Sequence, residues 1–111
     1  MPKKSEIRQE KPLELAIRAI GGKWKIMLID RLQENPMRNS ELLKGLAGIS
    51  QKMLTQSLRE LEEAGVVARR VYPEVPPRVE YSLTRLGLKL KPVIMMLEQW
   101  GEECQLQKKG R

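Results

Sequence analysis

Arg69-Arg70-Val71-Tyr72-Pro73-Glu74-Val75-Pro76-Pro77-Arg78-Val79-Glu80-Tyr81-Ser82-Leu83 is the stretch on which the fold turns. Three prolines crowd its middle. Proline fixes φ and has no N–H to donate, so Pro73, Pro76 and Pro77 belong in a loop rather than in a ladder. Beyond them Val79, Tyr81 and Leu83 alternate with Glu80 and Ser82, the period-two pattern of a half-buried strand. Residues 66–83 therefore read as a β-hairpin whose stiff tip is flanked by Arg70 and Arg78.

A helix is expected immediately upstream, with Ser50 as N-cap, running to about Ala64 and closed by Gly65. At 100° per residue, Leu58 and Leu61 fall within about 40° of Leu54 and face a core. Lys52, Gln56, Arg59 and Glu63 point the opposite way, with Gln51 and Thr55 on a flank. Before this helix, Leu42, Leu43 and Leu46 mark another, capped by Asn39 or Ser40. The two are joined by the turn Ala47-Gly48-Ile49-Ser50. Short helices around a glycine-containing turn make a helix-turn-helix, and the hairpin that follows adds a wing. The expected class is mainly α with a small β-hairpin (α+β), a winged helix-turn-helix.

The remaining elements fit around that unit. Residues 1–11 are polar, charged and aperiodic, a flexible basic arm. Leu13, Ala16, Ile17 and Ile20 recur at helical spacing until Gly21-Gly22. A second helix is expected from about Lys23 to Glu34, burying Trp24, Met27, Leu28 and Leu32, with Asn35-Pro36 as its stop. Thr84 can cap one long last helix through Leu86, Leu90, Val93, Ile94, Leu97 and Trp100, kinked at Pro92. Residues 105–111 then form a frayed basic tail, leaving residues 12–104 as a single domain.

Composition narrows the chemistry. A chain of 111 residues supports one modest core. Its longest apolar run, Val93 to Leu97, falls far short of the ~18 residues of a membrane span, and the first residues lack a secretory apolar stretch. A cytoplasmic protein with no membrane partner is expected. One cysteine, Cys104, excludes an intrachain disulfide and a thiolate metal cluster. With no histidine, the commonest general base and zinc ligand are missing, so no catalytic residue, metal or cofactor is assigned.

The 21 basic against 14 acidic residues leave a formal charge of +7, which suits a polyanionic partner. The only aromatic residues are Trp24, Trp100, Tyr72 and Tyr81. Binders of single strands need stacking rings, so double-stranded DNA is the expected partner. Ser50, Gln51, Lys52, Thr55, Gln56 and Arg59 are the candidate contacts of the recognition helix. Arginine and lysine suit guanine, glutamine suits adenine, and threonine can meet a thymine methyl. Arg70, Pro76, Pro77 and Arg78 on the wing, with Lys23 and Arg38 on its flanks, are candidates for phosphate or minor-groove contact. An ordinary solvated face is the alternative for each.

Leu13 and Ile17 on the first helix, and Val93, Met96, Leu97 and Trp100 on the last, form more apolar surface than a small monomer readily buries. They are the candidate interface of a homodimer. The alternatives are packing of the two helices within one chain, or an adaptable pocket lined by methionines. A small-molecule effector is left open and unidentified.

Three runs carry a family resemblance. They are Ile20-Gly21-Gly22-Lys23-Trp24, Gly48-Ile49-Ser50-Gln51-Lys52-Met53-Leu54-Thr55 with Leu58-Arg59-Glu60-Leu61, and Val71 through Thr84. In order and spacing the chain resembles the HxlR-type bacterial transcriptional regulators over about residues 12–101. The resemblance implies a winged helix-turn-helix homodimer, joined through its first and last helices, on roughly palindromic operators. Many relatives sense electrophiles through a cysteine just before the proline of the first helix. Here that position is Lys11-Pro12, so a thiol switch there is not carried over. Asn39 replaces the phenylalanine usual before the third helix. A winged-helix module that binds another protein is the competing function, since a fold does not settle function.

Overall fold

The structure, a computed structural model, describes residues 10–110. The expected arm lies outside the described residues except for Glu10 and Lys11, which lead straight into the first helix. In chain order the elements are α1 (Pro12–Ile20), α2 (Lys23–Arg31), β1 (Met37–Arg38), α3 (Asn39–Gly45), α4 (Gln51–Glu63), β2 (Val67–Tyr72), β3 (Arg78–Leu83), α5 (Arg85–Leu88) and α6 (Lys91–Lys109). This is a winged helix-turn-helix, mainly α with a small antiparallel sheet.

Local chemistry explains most of the boundaries. The Ser50 hydroxyl accepts the Met53 amide at 3.1 Å and starts α4, satisfying one of the four amides a helix leaves orphaned. At the other end Gly65 takes φ 78°. There Val66 N donates to Leu61 O at 2.9 Å, the six-to-one bond of a glycine-closed terminus. Leu54, Leu58 and Leu61 are buried, as their spacing predicts. They meet Leu28 and Ile29 of α2, Leu42 and Leu46 beside α3, and Val67 of β2 in one core.

The hairpin forms with Val67 opposite Leu83 and Tyr72 opposite Arg78. A strand absent from the sequence reading joins it: Met37 and Arg38 pair with Tyr81 and Glu80, giving the sheet order β1-β3-β2. That strand also shifts the start of α3. Arg38, not Asn39 or Ser40, is its N-cap, and Glu41 Oε1 accepts the Arg38 amide at 2.8 Å. The chain leaves the sheet and enters the helix in consecutive residues, so Asn39 is already helical.

Four further expectations are corrected. The α2 helix ends at Arg31 rather than Glu34, its last turn tightening as Gln33 N bonds to Asp30 O at 3.3 Å; Met27 stays exposed while Ile29 is buried. Thr84 does cap a helix, accepting Gly87 N at 3.1 Å, but that helix is the four-residue α5. Pro92 has no N–H for Leu88 O, and its ring would clash with that carbonyl, so a continuous helix is interrupted. Pro92 instead occupies the first turn of a separate α6, whose first bond is Ile94 N to Leu90 O at 2.9 Å. Residues 105–109, expected as a tail, complete α6.

Gly87 fastens α5 to the sheet. A Cβ placed there would lie 2.3 Å from Val66 O, the same carbonyl that accepts Thr84 N at 3.0 Å. By contrast α1 buries no residue, and α6 buries only Ile94.

Candidate nucleic-acid interface

The second helix of the helix-turn-helix presents a polar face because its leucines are committed to the core. Ser50, Gln51, Lys52, Thr55, Gln56 and Arg59 are all exposed. Gln51 Nε2 donates to Thr55 Oγ1 at 3.0 Å, and Gln56 Nε2 donates to Glu60 Oε2 at 3.2 Å. Both bonds join residues one turn apart on the helix surface. Lys52 and Arg59 form no ion pair among the described residues. Two free cations therefore share a face with two oriented amides.

Glu60 has a second partner. Lys25 Nζ, from α2, lies 2.9 Å from Glu60 Oε1, with the lysine side chain only 15% exposed. The hydrogen bond from Lys25, then that from Gln56, then the lysine charge itself hold the Glu60 carboxyl below its ordinary pKa. The i, i+4 spacing of Gln56 and Glu60 was visible in the sequence. The contact with Lys25, thirty-five positions away, had no local signal.

On the wing the sequence candidates separate. Arg78 sits 2.9 Å from Glu74 and 3.1 Å from Glu80, with its guanidinium 3.9 Å from the centre of the Tyr72 ring. Its charge is offset within the hairpin and its side chain braces the tip. Arg70 covers the same ring at 4.8 Å and has no acidic hydrogen-bond partner among the described residues. Neighbouring Arg69, which was not among the sequence candidates, is also exposed. Pro76 and Pro77 are exposed at the tip, where they shape the turn rather than donate.

Arg38 joins the wing through the sheet: with Pro76, Pro77 and Arg78 it borders a shallow hollow of about 470 Å³. Lys23 opens α2, its ammonium 4.6 Å over the Trp24 ring. Trp24 is partly buried against the core, and its ring edge approaches the Gly48 turn before α4. The structure thus groups the helix candidates on one face and gathers Arg38, Arg70 and Arg78 at the wing. Lys23 belongs to neither element and stacks on Trp24.

Comparison with known proteins agrees with this architecture. The family model described as HxlR-like helix-turn-helix matches residues 19–109. The uncharacterized HTH-type transcriptional regulator YkvN of Bacillus subtilis (strain 168) is 51% identical over 88 residues, spanning 79% of this chain and 75% of that protein. Among solved structures, the redox regulator HypR in its reduced form superposes with a TM-score of 0.84 at 40% identity, covering 91% of this chain and 100% of that one. The HTH-type transcriptional regulator ytcD gives 0.80 at 45%, covering 85% and 96%. Among the described residues no helix is long and apolar enough to cross a membrane. The three motifs, the winged architecture and the extent of these matches agree, and the chain belongs to the HxlR-like helix-turn-helix family of transcriptional regulators.

Proposed function

We propose that the protein is a sequence-specific regulator that binds double-stranded DNA in the cytoplasm as a homodimer, on a roughly palindromic operator. The observation that carries this reading is the outward face of α4. It joins Lys52 and Arg59, unpaired among the described residues, to hydrogen-bonded Gln51, Thr55 and Gln56, and ends in acidic residues that would stay clear of phosphate. Ser50 and these five residues enter the major groove. Arg38, Arg70 and Lys23 address phosphates, while Pro76, Pro77 and Arg78 hold the wing that places Arg70.

The dimer reading rests on uncovered apolar surface. Leu13 and Ile17 of α1 are 72% and 60% exposed, and Met96 and Trp100 of α6 are 69% and 66% exposed. Val93 and Leu97 are also exposed. A stripe of this kind on two helices suits a self-complementary contact. Two recognition helices would then address half-sites about 10 bp apart, centre to centre.

Fluorescence anisotropy tests the reading. The protein is titrated onto its own upstream intergenic DNA and onto a scrambled duplex, at about 50 and 200 mM salt. Tighter binding to the native fragment, persisting at the higher salt, is expected. If the dimer meets about eight phosphates, log K falls with log salt at a slope near −7. Arg59→Ala weakens binding to the native fragment more than to the scrambled one; equal loss on both would make Arg59 a phosphate contact. No binding to either duplex would favour the protein-interaction module instead.

A further inference from the structure

A cleft of about 720 Å³ opens between α1, the far end of α4 and α5. That volume lies within the range of small-molecule sites. Its lining is mostly apolar: α1 contributes Leu15, Ala19 and Ile20, and the α5 region contributes Leu86 and Leu90. Leu15 and Leu86 remain 48% and 55% exposed, so the described residues do not cover this surface. Leu13 and Ile17, the residues assigned to the dimer contact, do not line it. The cleft and the proposed dimer contact therefore use different residues of α1.

The charges in the cleft are the informative part. Lys25 is largely buried and reaches it with one carboxylate partner, Glu60; Glu63 lies nearby, and Arg18, already bonded to Glu10, also lines the cleft. Lys89 lines the same cleft and has no acidic partner among the described residues. Apolar walls with one largely covered ammonium and one that has no acidic partner among the described residues suit a ligand that is greasy at one end and anionic at the other.

We propose that this cleft binds a small apolar molecule carrying one anionic group, and that the anion takes the Lys25 ammonium from Glu60. Resting on the DNA-binding reading above, a consequence follows for the recognition helix. Glu60 also holds Gln56, so displacing Lys25 leaves an uncompensated carboxylate one turn from a base-reading side chain. Occupancy of the cleft therefore weakens DNA binding, and by reciprocity DNA weakens occupancy.

The probe is 2-naphthoate, titrated onto the full-length protein and followed by two-dimensional amide NMR, with neutral 2-naphthylmethanol as control. Saturable shifts are expected at Ala19, Lys25, Leu90 and the Gln56 side-chain amide. The alcohol binds at least fivefold more weakly, and Lys25→Gln removes that preference. Lys89→Gln, an exposed change, gives a partial loss should Lys25→Gln impair folding. Shifts confined to Met96 and Trp100, or equal affinity for acid and alcohol, would overturn the site. At saturating naphthoate, operator affinity falls about fivefold or more; unchanged affinity would overturn the coupling. Naphthoate binding is read without DNA, so a protein that binds naphthoate in the cleft but no duplex would retain this site and lose the function proposed above.

Discussion

Replacing Trp100 with alanine tests the proposed dimer contact through a side chain that the isolated protomer scarcely uses. The residue is 66% exposed. A tryptophan carries roughly 150–250 Å² of buriable surface, so about 100–165 Å² of each ring is available to a partner. At ~25 cal/mol per Å² this corresponds to about 2.5–4 kcal/mol per ring. A two-fold contact removes two rings. Even with half of that surface covered, the dimer loses about 2.5–4 kcal/mol, raising its dissociation constant by roughly 10² to 10³. Sedimentation equilibrium over a dilution series measures this directly. The stability of the protomer, read by denaturant at concentrations where both proteins are monomeric, changes by about 0.5 kcal/mol or less, as for other exposed substitutions. An unchanged dissociation constant would refute the assignment of Trp100 to the interface. A comparable loss of monomer stability would show that the ring packs within its own chain.

Ser50→Ala removes the acceptor of the Met53 amide at the start of α4 and is expected to cost about 1 kcal/mol of unfolding free energy in a urea titration. Gly87→Ala drives a Cβ to 2.3 Å from Val66 O; because a backbone atom cannot yield as a side chain can, a loss of about 2 kcal/mol or more is expected by thermal melting. Glu60 titrates below its ordinary value because Lys25 and Gln56 bond its carboxylate. A depressed carboxyl pKa contributes stability that is present above the unfolded-state value and lost as pH falls through the folded one. Lys25→Gln should therefore raise the Glu60 pKa, followed by carboxyl ¹³C NMR, and flatten the acid limb of the stability profile.

The helix-turn-helix was legible because each of its signals is local. A serine, three leucines at helical spacing and a glycine define α4 through contacts among residues no more than five positions apart. The hairpin was legible for the same reason: prolines interrupt an alternating pattern. The two-residue strand β1 is too short to show a period, and it exists only because β3 offers it a free edge. The break between α5 and α6 was only half visible. Pro92 announced a disturbance, but a kink and a new helix begin with the same residue type.

Among the candidate contacts, residue type and helical spacing sufficed to place Gln51, Lys52, Thr55, Gln56 and Arg59 on one exposed face of α4. The wing was harder. From the sequence Arg70 and Arg78 look alike, two arginines either side of a proline-rich tip. Only the folded hairpin sets Glu74, Glu80 and the Tyr72 ring around Arg78 while leaving Arg70, among the described residues, with the ring and no ion pair.

The sequence by itself determined the order of the main elements, the buried leucines of α4 and the basic character of its outer face. Those properties follow from backbone hydrogen bonding and side-chain periodicity within a few residues of chain. Tertiary structure alone decided which charges remain unpaired, that Lys25 reaches Glu60, and that α1, α4 and α5 enclose a cleft. Each of these requires groups distant in the chain to come within a few ångströms, and Coulomb and hydrogen-bond energies depend on that separation.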